Sequence, residues 1–266
     1  MRLSYLATYP IKSCYRVEVD TAEVEPWGLA GDRRWIVVDE AAKLVTQRQC
    51  PSMGRIRPRY TELGLVLEAA GAEPLEVPYP VAALGNIKHF HEWIAATSAG
   101  EVADHWISQV IGRPVRLFHL DDPTRRAVHP EYGTAEDRVS FADGFPVLLA
   151  NEASLQAVND WLAEDGEEPV EMTRFRPNAV VSGAPAWAED EWIGRRIAIG
   201  DVPFRVPKHC DRCVLTTIDP ETGEKGRQPL RVLAKHRRFP SGLLFAVNLI
   251  PDARGKIAIG DEITVL

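Results

Sequence analysis

Cysteine is scarce in this 266-residue chain: four residues, at positions 14, 50, 210 and 213. Four thiols are too few for a disulfide framework, and in a reducing compartment they need not pair. A structural zinc site takes four ligands, usually from two Cys-x-x-Cys pairs, and there is no second pair to join Cys210 and Cys213. No apolar run reaches about 18 residues, which argues against a membrane-spanning helix. Cations are outnumbered, 31 Lys and Arg against 38 Asp and Glu, and the net charge of −7 argues against a nucleic-acid partner. The opening residues Met1 to Pro10 are too soon interrupted for a signal peptide, so the expectation is a cytoplasmic protein with no membrane partner.

What the chain does have is a concentrated chemical segment, Lys208-His209-Cys210-Asp211-Arg212-Cys213, followed by Val214-Leu215-Thr216-Thr217-Ile218. The β-branched residues read as a strand, so an active thiolate would sit at its entrance, with Lys208 and Arg212 favouring the ionised sulfur. A thioredoxin-like pair would instead need a helix N-terminus. Two inert, buried cysteines remain an alternative.

Upstream, the segments 3–9, 17–19, 35–39, 44–48, 55–60 and 64–68 read as short strands between Gly/Pro turns, the rhythm of a β-barrel or sandwich. Apolar residues at 102, 103, 106, 107, 110 and 111 then predict a helix over 99–112, stopped by Gly112 and Pro114. A polar loop is expected over 121–141, a buried strand over 145–150, and a helix after it with Asn151 as N-cap. Arg174-Phe175-Arg176-Pro177-Asn178 forms a pre-proline segment that should fix at least one guanidinium toward a partner. The near-copies Ile197 to Val202 and Ile257 to Glu262 suggest matching barrel turns, and Pro229 to Arg238 a short basic helix. Lys12 and Ser13, in a loop after the first strand, offer a cation and a hydroxyl suited to an anion. The fold class expected is α+β and β-rich.

Taken together, Tyr9-Pro10-Ile11-Lys12-Ser13-Cys14, Gly31-Asp32-Arg33-Arg34-Trp35, Asn151-Glu152-Ala153-Ser154-Leu155, Phe175-Arg176-Pro177-Asn178 and Cys210 to Gly223 resemble, in the same order, the MOSC domain proteins. The resemblance extends to those that carry an N-terminal β-barrel module, the family of the mitochondrial amidoxime-reducing component and its bacterial counterparts. It implies an N-terminal β-barrel module over residues 1–120, including the helix at 99–112, and a MOSC β-barrel domain with peripheral helices over 121–266. It implies a molybdenum cofactor, with Cys213 as the metal ligand and catalytic thiolate, and with Lys12, Ser13, Arg33 and Arg176 holding the pterin and its phosphate. Asn178 lies in the matching Arg-Pro-Asn element. Two positions depart from the pattern: Asp211 stands where a cofactor-contacting serine is expected, and Gly144 where a threonine is. The implied activity is reduction of small N-hydroxylated substrates such as amidoximes, hydroxylamines and N-hydroxylated bases. The alternative is a carrier of the cofactor or of its sulfur, with Cys213 as a persulfide and no turnover. Some bacterial relatives append a [2Fe–2S] domain that needs four clustered cysteines. No cysteine follows Cys213, so the expectation is a separate electron-transfer protein.

Overall fold

The computed structural model describes residues 1–81 and 84–266. Its largest element is a nine-stranded sheet in which the first strand of the chain, Arg2–Thr8, is sewn between Val17–Glu18 and Ala179–Ser182. Beyond Ala179–Ser182 come, in order, Val147–Asn151, Gly242–Pro251, Val202–Asp211, Arg196–Ile199 and Ile263–Val265, while Arg238–Phe239 pairs off Gly242–Pro251. All neighbours are antiparallel except Val147–Asn151 and Ala179–Ser182. A parallel pair needs a crossover, and helix α2 (Glu152–Glu164) supplies it. Asn151 starts that helix as expected, its side chain accepting from the Ala153 amide at 3.0 Å.

Residues before 120 build smaller antiparallel sheets. Trp35–Val38, Arg116–His119, Glu92–Ser98 and Leu84–His89 form one, and Arg57–Thr61, Gly64–Ala69 and Ala72–Pro78 another. Helix α1 (Glu101–Ile111) buries Ala103, Trp106 and Ile107, one stripe at helical spacing, and ends on left-handed Gly112. Thr21–Glu25 pairs with Gly28–Leu29 and with Gly255–Ala258 from the far end of the chain. The molecule is thus a β-rich α+β fold. One core lies within the large sheet around Leu3, Leu6, Leu149, Phe204 and Leu249, and a second lies around Trp35, Met53, Leu67, Trp106 and Leu117.

Four local expectations are corrected. Residues 44–48 form no strand: a single bridge joins Val38 to Leu44, and then Gln49 Oε1 accepts from the Thr46 amide at 2.9 Å and closes a turn. The near-copies are not equivalent, for Arg196–Ile199 and Val202–Asp211 form a hairpin whereas Gly260-Asp261 carries the chain from one sheet to another. Pro229 caps the basic helix α3 (Leu230–His236) from outside it, and Arg238 already belongs to a strand. Val214–Thr217 is a 3-10 turn rather than a strand, because the Thr216 and Thr217 hydroxyls bond back to the Cys213 and Val214 carbonyls. No helix of the described residues is long and apolar enough to cross a membrane.

Candidate functional site

Two loops of the N-terminal half are zipped together by their backbones. The Arg33 amide donates to the Tyr9 carbonyl at 2.8 Å, the Lys12 amide to Trp35 at 2.9 Å and the Trp35 amide to Pro10 at 3.0 Å. Asp32, 1% exposed, is the hub between them and the C-terminal half. Its carboxylate accepts from the Tyr9 amide at 2.8 Å, from Asn178 Nδ2 at 3.1 Å and from Arg33 Nη1 at 2.6 Å. Asn178 Oδ1 accepts in turn from Arg33 Nη1 at 3.0 Å and from the Leu148 amide at 3.1 Å. The role of Asn178 in this geometry is therefore to orient Arg33 and lock the two halves in register.

Arg33 and Arg176 both lie against the ring of Tyr9, at 4.4 and 4.2 Å from its centroid, and Tyr9 is held by its hydroxyl on the Pro177 carbonyl at 3.1 Å. Arg176 donates to the Cys14 carbonyl at 2.8 Å and pairs with no carboxylate among the described residues. Burial lowers its pKa, the cost of a guanidinium without a counter-ion. Lys12, 5% exposed, is capped by the Phe141 carbonyl at 2.7 Å and by Asp143, and burial lowers its pKa to about 8. The expectation that this pre-proline segment fixes a guanidinium holds: Arg174 Nη2 meets Asp219 at 2.9 Å and Arg176 the Cys14 carbonyl. Arg176 also has an unusual backbone. It is left-handed, with φ 53° and ψ 47°, at the end of the 3-10 turn Met172–Phe175. Ser13 and Arg33 are left-handed too, with φ of 68° and 47°. Each such conformation costs about 1–3 kcal/mol, and strain of this kind gathers at functional sites.

The cysteines sit where the strand Val202–Asp211 gives way to the 3-10 turn, both partly exposed and unpaired. Arg212 Nη1 donates to Cys210 Sγ at 2.8 Å and its Nη2 to the Phe175 carbonyl at 2.7 Å, while its Nε is buried with no partner among the described residues. Burial raises the Cys210 thiol pKa, against the lowering pull of Arg212. Lys208 is turned elsewhere, 3.9 Å from Asp211 and over the ring of Tyr132 at 4.9 Å. The Cys213 thiol makes no hydrogen bond among the described residues.

Among these groups lies a cavity of about 130 Å³. Lys12, Ser13, Arg33, Arg176, Asn178 and Cys213, remote in sequence, all line it, as do Asp211 and Gly144. Five cations face it (Lys12, Arg33, Arg48, Arg176, Arg212) against two carboxylates, Asp143 and Asp211. Asp211 is largely exposed and paired with Lys208, and a side chain added at Gly144 would meet nothing within 4 Å. The arrangement can hold a doubly charged anion and present one soft donor beside it. Sequence reasoning gave no role to Asp32, which adjoins a residue it singled out. The signal for Asp32 was a carboxylate between a turn glycine and the arginine it serves.

Family models match the chain in two pieces, the MOSC N-terminal beta barrel domain over residues 1–114 and the MOSC domain over residues 136–264. The chain is similar to Mitochondrial amidoxime-reducing component 1 of Homo sapiens, 32% identical over 99% of this chain and 82% of that one. It is 35% identical to the protein of that name from Mus musculus, again over 99% of this chain and 82% of the relative. Molybdenum cofactor sulfurase of Oryza sativa subsp. japonica matches at 28% identity over 94% of this chain and 32% of its own.

Proposed function

Because this chain belongs to the family of MOSC-domain proteins that includes the mitochondrial amidoxime-reducing components, we propose that it is a molybdenum-cofactor-dependent reductase of small N-hydroxylated compounds. The observation that carries the reading is the composition of the cavity: an unbonded, partly exposed thiol at Cys213 beside five cations and two acids. The residues fit a sulfur-ligated pterin phosphate. Among the described residues Arg176 and Arg212 face the cavity without carboxylate partners and the Arg212 Nε is buried and unmet, and a buried donor of that kind costs about 1–3 kcal/mol until it is met. Cys213 is the soft donor for the metal, and Lys12, Ser13, Arg33 and Arg176 take the pterin and its phosphate, with Asn178 fixing Arg33. Bound there, the cofactor would supply the two-electron redox chemistry that removes the N-bound oxygen as water. The protein holds and orients it, and the Tyr9, Asp32 and Asn178 network keeps the guanidinium groups from reorganising when the ligand arrives. Electrons would come from a separate electron-transfer protein. We place the activity in the cytoplasm, where four unpaired thiols stay reduced.

A second reading, a carrier of the cofactor or its sulfur without turnover, draws on the similarity to the rice sulfurase and on the accessible Cys213 thiol. Molybdenum analysis together with a reductase assay on an amidoxime and a hydroxylamine separates the two. For the reductase, Cys213→Ser loses both bound molybdenum and turnover, whereas Cys210→Ser keeps most of each. Full activity in both variants sinks the proposal. A persulfide on Cys213 seen by mass spectrometry, with no turnover, gives the carrier.

A further inference from the structure

Next to the cavity lies a second concavity of about 520 Å³, within the size range of small-ligand sites. Lys43, Arg48 and Lys88 line it, and among the described residues no acidic side chain does. In a chain of net charge −7, three cations gathered without a carboxylate make a local anion field. Thr46 and Gln49 add a hydroxyl and an amide, and Thr46 and Arg48 also line the first cavity. The two spaces meet at Thr46 and Arg48, and Phe90 stands on the groove wall between Arg48 and Lys12. Its ring, 39% exposed, has Arg48 at 5.9 Å on the groove side and Lys12, a wall of the first cavity, at 5.2 Å. Phe90 is held at φ 53°, a conformation that a bulky residue rarely adopts. A single ligand can therefore place a phosphate among the three cations, pass an aromatic ring over Phe90, and reach the cavity of Cys213.

We propose that this groove binds the phosphate of a nucleoside-monophosphate-type ligand whose base lies at Phe90 and in the adjoining cavity. The inference rests on the reading of that cavity as the reductase site and names its substrate class as N-hydroxylated nucleotides rather than free bases. Phosphate selects for the cations, stacking on the exposed ring for a base, and the concave shape for a small molecule. A nucleotide attached to the cofactor itself presents the same chemistry.

The test uses the full-length protein as purified, with cytidine monophosphate and cytidine as calorimetric probes. The monophosphate should bind on the order of ten-fold tighter, and Lys43→Gln combined with Lys88→Gln should erase that preference. Thermal melting of the variant should match that of the parent chain. Mass spectrometry of what denaturation releases tells the two sources apart. A nucleotide released with the pterin from the parent chain, and diminished in the variant, makes the cofactor's own tail the occupant. No released nucleotide, with the calorimetric preference intact, makes it the substrate. If the two probes bind alike, or the variant keeps the preference, and no nucleotide is released, the inference is overturned. Bound molybdenum without any phosphate preference or released nucleotide sinks the groove alone, and phosphate preference without molybdenum sinks the reductase reading alone.

Discussion

Lys12 makes the clearest pH-dependent prediction at the scale of single residues. Burial lowers its pKa to about 8 from the ordinary 10.5, so the unfolded chain binds the extra proton between those values. Lys12 therefore subtracts stability below about pH 8, and that penalty is relieved as pH rises through the window. Its charge moves the other way for function: an anion held by the ammonium is released as pH rises past about 8. Retention of an anionic ligand should show this loss, and Lys12→Gln should bind weakly with the step abolished. A pH-independent affinity in the parent chain would exclude Lys12 from the anion site. Asp32 makes a stability prediction. Asn in its place keeps the shape but strips the charge facing Arg33 and sets an amide against the Tyr9 amide. Breaking a buried pair this way should cost about 3 kcal/mol, visible as a lower urea midpoint with an unchanged slope. The sequence displayed Lys12, Arg33, Arg176 and Cys213 because charged and thiol residues stand out beside turns. It only half showed Asp32: the neighbouring Gly31 and Arg33 are local, but its other two donors come from residues 9 and 178.

At the scale of elements, what was legible followed local rules and what was not followed tertiary bonds. Helix α1 could be read from its apolar stripe and left-handed glycine stop, and α2 from its asparagine cap. The segment after Cys213 was misread because Val, Thr and Ile suit strands, while two threonine hydroxyls folding back on the main chain decide the matter. The pre-proline segment did fix its guanidinium groups, but the left-handed turn at Arg176 that aims one onto Cys14 and Tyr9 had no local signal. The long loop over 121–141 was seen as a loop, but its anchor was not. Arg126, 6% exposed, donates to the carbonyls of Ser140 and Ala142 at 2.5 Å each and of Asp143 at 2.9 Å, and pairs with Glu92 at 3.1 Å. It thereby fixes the segment that supplies both partners of Lys12. Arg126→Met should leave those carbonyls unmet and speed amide exchange over residues 140–144 at least ten-fold, about 1.4 kcal/mol of local stability. Unchanged protection there would show that the loop is held by something else.

The whole molecule is tied together by its ends. Arg2–Thr8 pairs with Ala179–Ser182, and Thr21–Glu25 with Gly255–Ala258, so N-terminal strands complete sheets whose other long strands come from residue 147 onward. The core within the large sheet draws Leu3, Leu6, Val24 and Leu29 from the first thirty residues and Val181, Phe204 and Leu249 from the second half. The candidate site is assembled across the same seam, Lys12 and Arg33 from one side, Arg176 and Cys213 from the other. This is why a division at residues 120 and 121, natural on helix and loop patterning, should not give two independent folding units. A fragment of residues 121–266 would bare one edge of Ala179–Ser182 and an apolar face, and such edges aggregate. Expressed alone, it should be insoluble or melt without a cooperative transition. Co-expressed with residues 1–120, it should recover a single transition near that of the intact chain, because the severed strand can still pair in trans. A cooperative melt of 121–266 alone, at the temperature of the full chain, would mean that the pairing of Arg2–Thr8 adds little. The anion site would then have to be built without its first two cations.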